Sequence, residues 1–340
     1  MIIKLMIVDD SAFMRKIITD LVAEFNGVEV VGIARNGLDA LEMIPKLQPD
    51  IITLDMEMPK LNGIETLKRI KDEYNIPVIM VTSNTGQDIT IEALQLGALD
   101  FIEKPTDLKS NLTDLGMELE VKIKSVFNKS NIKSVKRAID TKNQNVEPKK
   151  STKSIKAVVI GASTGGPKAL VNIISRLPNQ IKVPIFIVQH MPKGFTTSLA
   201  ARLNNESRVQ VVEAQDGMVV QNNMVYLAPG DFHMTINMDR IRLNDKDKLH
   251  GVRPAVDYLF STAAEIYEDG LLGIILTGMG KDGSLGMETI KDFGGYNIAQ
   301  SEDTCVVYGM PGSAVSKGVV HEILSLEDIS TKLNQLIKVI

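Results

Sequence analysis

Through its first hundred residues the chain alternates short apolar runs with amphipathic stretches, and this alternation limits the fold more than any other feature. Runs at Lys4–Val8, Glu29–Ala34, Ile51–Leu54, Pro77–Val81 and Ala98–Ile102 have strand length, and residues between them repeat at helical spacing. Five βα units of this kind imply an α/β domain with an open parallel sheet, helices on both faces and ligands beyond the carboxyl ends of the strands. The stretch from Asp107 to Phe127 again has apolar residues at helical spacing and is expected to close this first domain.

The polar residues fall where such a sheet would use them. Asp9 and Asp10 end the first run, Asp55 the third and Thr82 the fourth, while Lys104 follows the fifth, just before Pro105. Three carboxylates on one sheet edge repel one another unless a hard cation joins them, and Mg²⁺ prefers oxygen ligands of this type. Asp55 is then placed to accept a phosphoryl group, with Lys104 supplying fixed positive charge and the Thr82 hydroxyl a donor. The competing reading, that these side chains only cap strand ends, predicts scattered identities rather than every part of one site.

With those residues in register, positions 1 to about 124 resemble a response-regulator receiver domain. The resemblance implies a flavodoxin-like fold, Asp55 as phosphoacceptor, a histidine kinase as phosphodonor, and Mg²⁺ held by Asp9, Asp10 and Asp55. Thr82, Phe101 and Lys104 then stand at the switch positions. Plain core packing is the other reading of Phe101, and both roles are compatible.

From Asn128 to Lys156 the composition changes to nine Lys or Arg against two acids, with many Ser, Asn and Gln. We read a basic polar linker over 125–154, between a receiver at 1–124 and a second domain at 155–340. A nucleic-acid arm is the alternative, but aromatic residues are missing from the stretch and no helix-turn-helix pattern follows. The length of 340 residues suits two domains, and a net charge of −4 with pI near 5.7 gives no global attraction to nucleic acid or anionic membrane. No run reaches the roughly 18 apolar residues of a membrane span. The lone Cys305 rules out an intrachain disulfide, and the start MIIKLMIVDD meets aspartates too early for a signal peptide, so a cytoplasmic monomer is expected.

The second half repeats the α/β pattern, with apolar runs at 157–160, 184–188, 209–212 and 273–276 and hairpin-like pieces from Met224 to Leu243. Its chemistry again follows strand ends. Gly161-Ala162-Ser163-Thr164-Gly165-Gly166 puts a hydroxyl on a tight strand-to-helix turn, Gln189-His190-Met191-Pro192 follows the second run, and Thr277-Gly278-Met279-Gly280-Lys281-Asp282-Gly283 the last. In a parallel sheet these three loops face one crevice. Ser163 would attack a carbonyl, His190 take its proton, and Asp282 orient the imidazole, with amides of Thr164 or Met279 as candidate oxyanion donors. Each residue has a plainer reading. The glycine turn also suits a phosphate or dinucleotide, His190 a structural role, and Asp282 a cap on the helix starting near Ser284.

The order Ser…His…Asp departs from the Ser…Asp/Glu…His order of α/β-hydrolases. Instead these motifs, with Leu227-Ala228-Pro229-Gly230-Asp231-Phe232-His233 and Arg253-Pro254-Ala255-Val256-Asp257, resemble the chemotaxis protein-glutamate methylesterase family over essentially the whole chain. The resemblance implies a Ser163-His190-Asp282 triad in a doubly wound α/β esterase domain, acting on glutamate methyl esters of methyl-accepting chemoreceptors without a cofactor for hydrolysis. Some members of that family also deamidate receptor glutamine. His233, Arg253 and Asp257 are expected to shape the crevice, Met191 and Met279 to form apolar wall, and His250, His321 and Cys305 to be structural. In such a chain the unphosphorylated receiver would cover the esterase crevice and phosphorylation of Asp55 would release it. A phosphorylation-gated module that binds a receptor or nucleotide without turnover is the alternative, weakened because a dinucleotide site needs neither His190 nor Asp282.

Overall fold

A computed structural model of the chain describes residues 2–83, 86–104, 112–127 and 154–337. Pro105 and most of the expected linker, residues 128–153, lie outside the described residues. The chain divides into two compact units, Met1–Val126 and Phe127–Ile340.

The first unit runs β1 (Ile3–Val8), α1 (Ala12–Ala23), β2 (Val28–Ala34), α2 (Gly37–Leu47), β3 (Ile51–Asp55), α3 (Gly63–Glu73), β4 (Val78–Thr82), α4 (Gln87–Gln95), β5 (Asp100–Glu103) and α5 (Leu112–Phe127). Its five strands are parallel in the order β2-β1-β3-β4-β5. The central strands β3 and β4 are buried along their whole length, as their mainly apolar sequences require. Side-chain caps start the first three helices: Ser11 accepts from the Met14 amide, Asn36 from Asp39 and Asn62 from Glu65. Each such cap is worth about 1 kcal/mol against alanine. All five expected strands are present; the fifth begins at Asp100 rather than Ala98, because Leu94, Gly97 and Ala98 are taken up by the turn that closes α4.

The second unit continues with β6 (Ala157–Ala162), α6 (Gly166–Ile174), β7 (Ile185–Gln189), α7 (Phe195–Glu206), β8 (Gln210–Glu213), β9 (Met224–Leu227), β10 (His233–Asn237) and β11 (Arg240–Asn244). It ends with α8 (Val256–Tyr267), β12 (Leu271–Ile275), α9 (Ser284–Asp292), β13 (Tyr296–Gln300), α10 (Met310–Ser316), β14 (Glu322–Leu324) and α11 (Leu326–Ile337). Seven strands form one parallel sheet, β14-β13-β12-β6-β7-β9-β8. The hairpin expectation holds for β10 and β11 alone, which pair antiparallel; β9 instead inserts between β7 and β8. Sequence reading missed β13 and β14. Asn297 and Gln300, both fully buried, interrupt the apolar run of β13, and β14 has only three residues.

This topology sets up a crevice. Consecutive strands lead away from β6 on one side through β7, while β12 and β13 lie on its other side, so the order reverses at β6, where α/β sheets bind ligands. Register finishes the placement: Ala162 pairs with Gln189 and Gly161 with Ile275, so the chain leaves all three strands at one level.

Candidate active sites

In the first unit the carboxyl ends of β1, β3 and β5 bring Asp9, Asp55 and Lys104 together. The Lys104 ammonium lies 3.1 Å from Asp9 Oδ2 and 2.8 Å from Asp55 Oδ2. Asp9 and Asp55 are almost wholly buried, whereas Asp10 is exposed at the rim. Burial pushes Asp55 up to about 6, reinforced by Asp9 and opposed by Lys104. Burial likewise raises Asp9, again against Lys104. Burial by itself would lower Lys104, but its bonds and charge contacts with Asp55 and Asp9 raise it overall. One ammonium therefore serves two buried carboxylates. Apart from the Lys104 ammonium, neither Oδ2 atom has a hydrogen-bond partner among the described residues, and ligand oxygens from Asp9, Asp10 and Asp55 lie within 4.8 Å of one another. This all-oxygen anionic set fits a hard divalent cation.

A cleft of about 570 Å³ adjoins the carboxylates, lined by Asp10, Met56, Glu57, Asn62, Ile64 and Ile89 among others. Thr82 is buried, its hydroxyl 3.2 Å from both Thr90 Oγ1 and the Ser83 carbonyl. Phe101 is packed inside at 5% exposure, with the Lys122 ammonium 5.5 Å from its ring centroid.

In the second unit Ser163, His190 and Asp282 meet at the β6 edge. The Ser163 amide donates to the Thr277 carbonyl (3.0 Å) and the His190 amide to the Ala162 carbonyl (3.1 Å), which fixes both turns to the sheet. The approach is close enough to dictate glycine: a Cβ on Gly278 would lie 2.7 Å from Ser163 Cβ. Asp282 Oδ2 accepts from His190 Nε2 at 2.8 Å. Because a carboxylate only accepts, this bond assigns the imidazole proton to Nε2 and leaves Nδ1 as the basic nitrogen, the reverse of the chymotrypsin arrangement. Among the described residues no hydrogen bond joins Ser163 Oγ to the imidazole, a contact that in such sites commonly tightens only in the substrate complex.

Asp282 is saturated. Beyond His190, its Oδ2 accepts from the Val256 amide (2.6 Å), and its Oδ1 from the amides of Asp257 (3.0 Å) and Gly283 (2.9 Å). Burial works to raise its pKa, but the His190 bond and charge and the two amides at the start of α8 outweigh it, and the carboxyl lies below the ordinary range. The capping role foreseen for Asp282 is thus real but directed elsewhere: it caps α8, whose own N-cap residue, Ala255, has no side-chain acceptor. His250, Asp257 and Asp282 cluster within 4.8 Å. Each Asp257 oxygen accepts one hydrogen bond, from Gly286 N (2.7 Å) and His250 Nε2 (3.0 Å), and Asp282 accepts four, so these carboxylates are already answered by donors of the protein.

Of the other residues singled out from sequence, His233 is fully buried, accepting from Ala255 N at Nδ1 and donating to the Asp247 carbonyl from Nε2. Burial lowers its pKa, consistent with a neutral structural ring. His321 stacks on Tyr296 and accepts from Asn297 N, while Arg253 holds the carbonyls of Asp245 and Lys246. Met191 and Cys305 are buried. The amides of Met279 and Gly280 have no acceptor among the described residues. Sequence reasoning passed over Gln189 and Thr277, buried polar residues under the serine turn. A polar side chain ending a wholly apolar strand was the available signal.

A five-stranded receiver-type unit and a seven-stranded α/β unit with serine, histidine and aspartate at its switch point define a response regulator joined to a hydrolase. Residues 5–115 match the response regulator receiver domain family and residues 158–333 the CheB methylesterase family. Curated relatives include proteins from Thermotoga maritima, 44% identical with 99% of each chain covered, and Pyrococcus horikoshii, 41% identical over 99% of this chain and 94% of that one. Both are named protein-glutamate methylesterase/protein-glutamine glutaminase. The crystal structure of the T. maritima CheB methylesterase catalytic domain is 47% identical, covering 54% of this chain and all of that one with a TM-score of 0.52. The chain belongs to the CheB methylesterase family. No helix among the described residues is long and apolar enough to cross a membrane.

Proposed function

We propose that the chain is a phosphorylation-activated protein-glutamate methylesterase, hydrolysing glutamate methyl esters on methyl-accepting chemoreceptors, and that Ser163, His190 and Asp282 carry the reaction. The observation that supports this most is the His190 Nε2–Asp282 bond of 2.8 Å beside the Ser163 turn. Ser163 Oγ attacks the ester carbonyl carbon and its proton passes to His190 Nδ1, while Nε2–H stays on Asp282. The imidazolium then gives that proton to the departing methoxide, releasing methanol and leaving an acyl-enzyme. Water attacks the acyl carbon, returns a proton through His190, and frees glutamate and Ser163. Amides of Thr164 and Met279 are the candidate donors to the oxyanion in both steps.

The same sequence with ammonia as leaving group deamidates glutamine, the second activity in the relatives' name. In the receiver, a histidine kinase is the proposed phosphodonor, and Asp55 takes the phosphoryl group as an acyl phosphate. Asp9, Asp10 and Asp55 would hold Mg²⁺, which when bound offsets charge on the transferring group. Lys104 stays beside Asp55 as the fixed positive charge, and Thr82 must leave its Thr90 and Ser83 partners to reach a phosphoryl oxygen. The test is methanol release from receptor-bearing membranes with labelled methyl groups. Release by the wild type that disappears in Ser163→Ala is expected; equal release by both overturns the assignment.

A further inference from the structure

Asp257, the second residue of α8, is buried at 4% exposure and is not among the residues that carry the reaction. Its amide donates to Asp282 Oδ1 (3.0 Å), while its own Oδ1 accepts from Gly286 N (2.7 Å) in the first turn of α9. One residue therefore holds both ends of the segment 282–286, at whose head Asp282 meets His190. The two helix starts are capped crosswise. Ala255 and Gly283, which precede α8 and α9, supply no side-chain cap, so each helix takes its acceptor from the N-terminal end of the other.

Asp282 depends on such ties because its loop is built around glycine: Gly280 and Gly283, at φ +84 and +90, stand on either side of Lys281 and Asp282. The tie to α9 needs close approach. A Cβ on Gly286 would lie 2.4 Å from Phe260 Cβ, so glycine is what lets this amide reach Asp257. The second Asp257 oxygen is held as well, by His250 Nε2, which donates to Oδ2 at 3.0 Å and so helps to fix the carboxylate with Oδ1 on Gly286. Burial raises the pKa of Asp257 and the Asp282 charge adds to it, while the Gly286 and His250 bonds oppose both. The side chain stands where charge is costly, and what it does there is make contacts that an asparagine oxygen can also make.

We propose that Asp257 is a positioning residue, tying the start of α9 to α8 so that Asp282 keeps its hold on the His190 imidazole. This rests on the reading of Ser163, His190 and Asp282 as the triad. Full-length Asp257→Ala and Asp257→Asn are compared with wild type and Ser163→Ala in methanol release from labelled receptor membranes. Active sites are counted by end-point labelling with a fluorophosphonate. The expected result for Asp257→Ala is a fall in kcat per labelled site of about ten- to hundredfold with KM nearly unchanged. Asp257→Asn, which keeps an acceptor for Gly286 N, should stay within about threefold of wild type. A merely structural role would reduce the number of labelled sites in Asp257→Ala and leave kcat per site at the wild-type value, and that result overturns the proposal. Asp257→Asn as slow as Asp257→Ala overturns it too, since the charge rather than the tie would then be responsible. Should Asp257→Ala not fold, Asp257→Leu, close in shape but without an acceptor, is judged by the same criterion. Turnover retained in Ser163→Ala locates the failure in the reading of the triad, and the proposal falls with it.

Discussion

Both units gather carboxylates at the carboxyl edge of a parallel sheet, yet the two sites are finished to different degrees. In the receiver, Asp9 and Asp55 are buried and share one ammonium, and their pKa values are raised. In the esterase unit, Asp282 is as deeply buried but accepts from four N–H donors, and its pKa is lowered. Burial opposes the charge in both places; the difference is how many fixed donors answer it. The first arrangement is built to gain charge partners and change state when they arrive. In the second the donors around Asp282 are in place beforehand, so its charge and its hold on His190 need no rearrangement.

The contrast breaks most visibly at Asp282. Asp282→Asn should lower methylester turnover by about 10⁴-fold, since an amide can present a donor to Nε2 and so favour the wrong tautomer. The same change should reveal the carboxylate's contribution to the fold. A carboxyl whose folded pKa lies below the unfolded value of 3.8 stabilises the protein fully above that value, and the stabilisation is lost as pH falls through the folded pKa. Urea midpoints of wild type and Asp282→Asn should therefore differ at pH 7 and converge below about pH 4. A pH-independent gap would mean the carboxylate charge is not what α8 relies on.

Lys104→Met sharpens the receiver side. It leaves two buried carboxylates without their counter-charge, so the first unit should lose about 3–5 kcal/mol at neutral pH. Millimolar Mg²⁺ should return part of that loss, measured as a rise in the unfolding midpoint that wild type shows less strongly. An equal Mg²⁺ response in both proteins would argue that the lysine and the cation do not answer the same charges. The smallest expected effect is at Cys305, whose thiol is buried against the Gln300 carbonyl. Cys305→Ala should change turnover by less than about twofold, because a structural thiol of this type is not a competing nucleophile. A large loss would reopen the assignment of Ser163.

Much of this was legible in the sequence because strand ends and chemistry coincide. Asp9, Asp55, Ser163 and His190 each end or follow an apolar run, and a parallel sheet brings such positions together whatever their separation along the chain. What stayed hidden depends on direction rather than position. Nothing in the motif around His190 tells which ring nitrogen meets Asp282, and the start of α8 gives no sign that its cap comes from a residue 25 or 26 positions further on. The polar strand β13 escaped for a related reason: Asn297 and Gln300 are buried because they bond to Met287, Val319, Thr277 and Thr304, partners that only the folded chain supplies.

The most direct test of a finished catalyst governed by an unfinished switch is methanol release with and without Mg²⁺ plus a small phosphodonor, in wild type and Asp55→Asn. The account predicts that the phosphodonor raises the wild-type rate and does nothing to Asp55→Asn. Stimulation of Asp55→Asn to the wild-type level, or a wild-type rate indifferent to the phosphodonor, would contradict it.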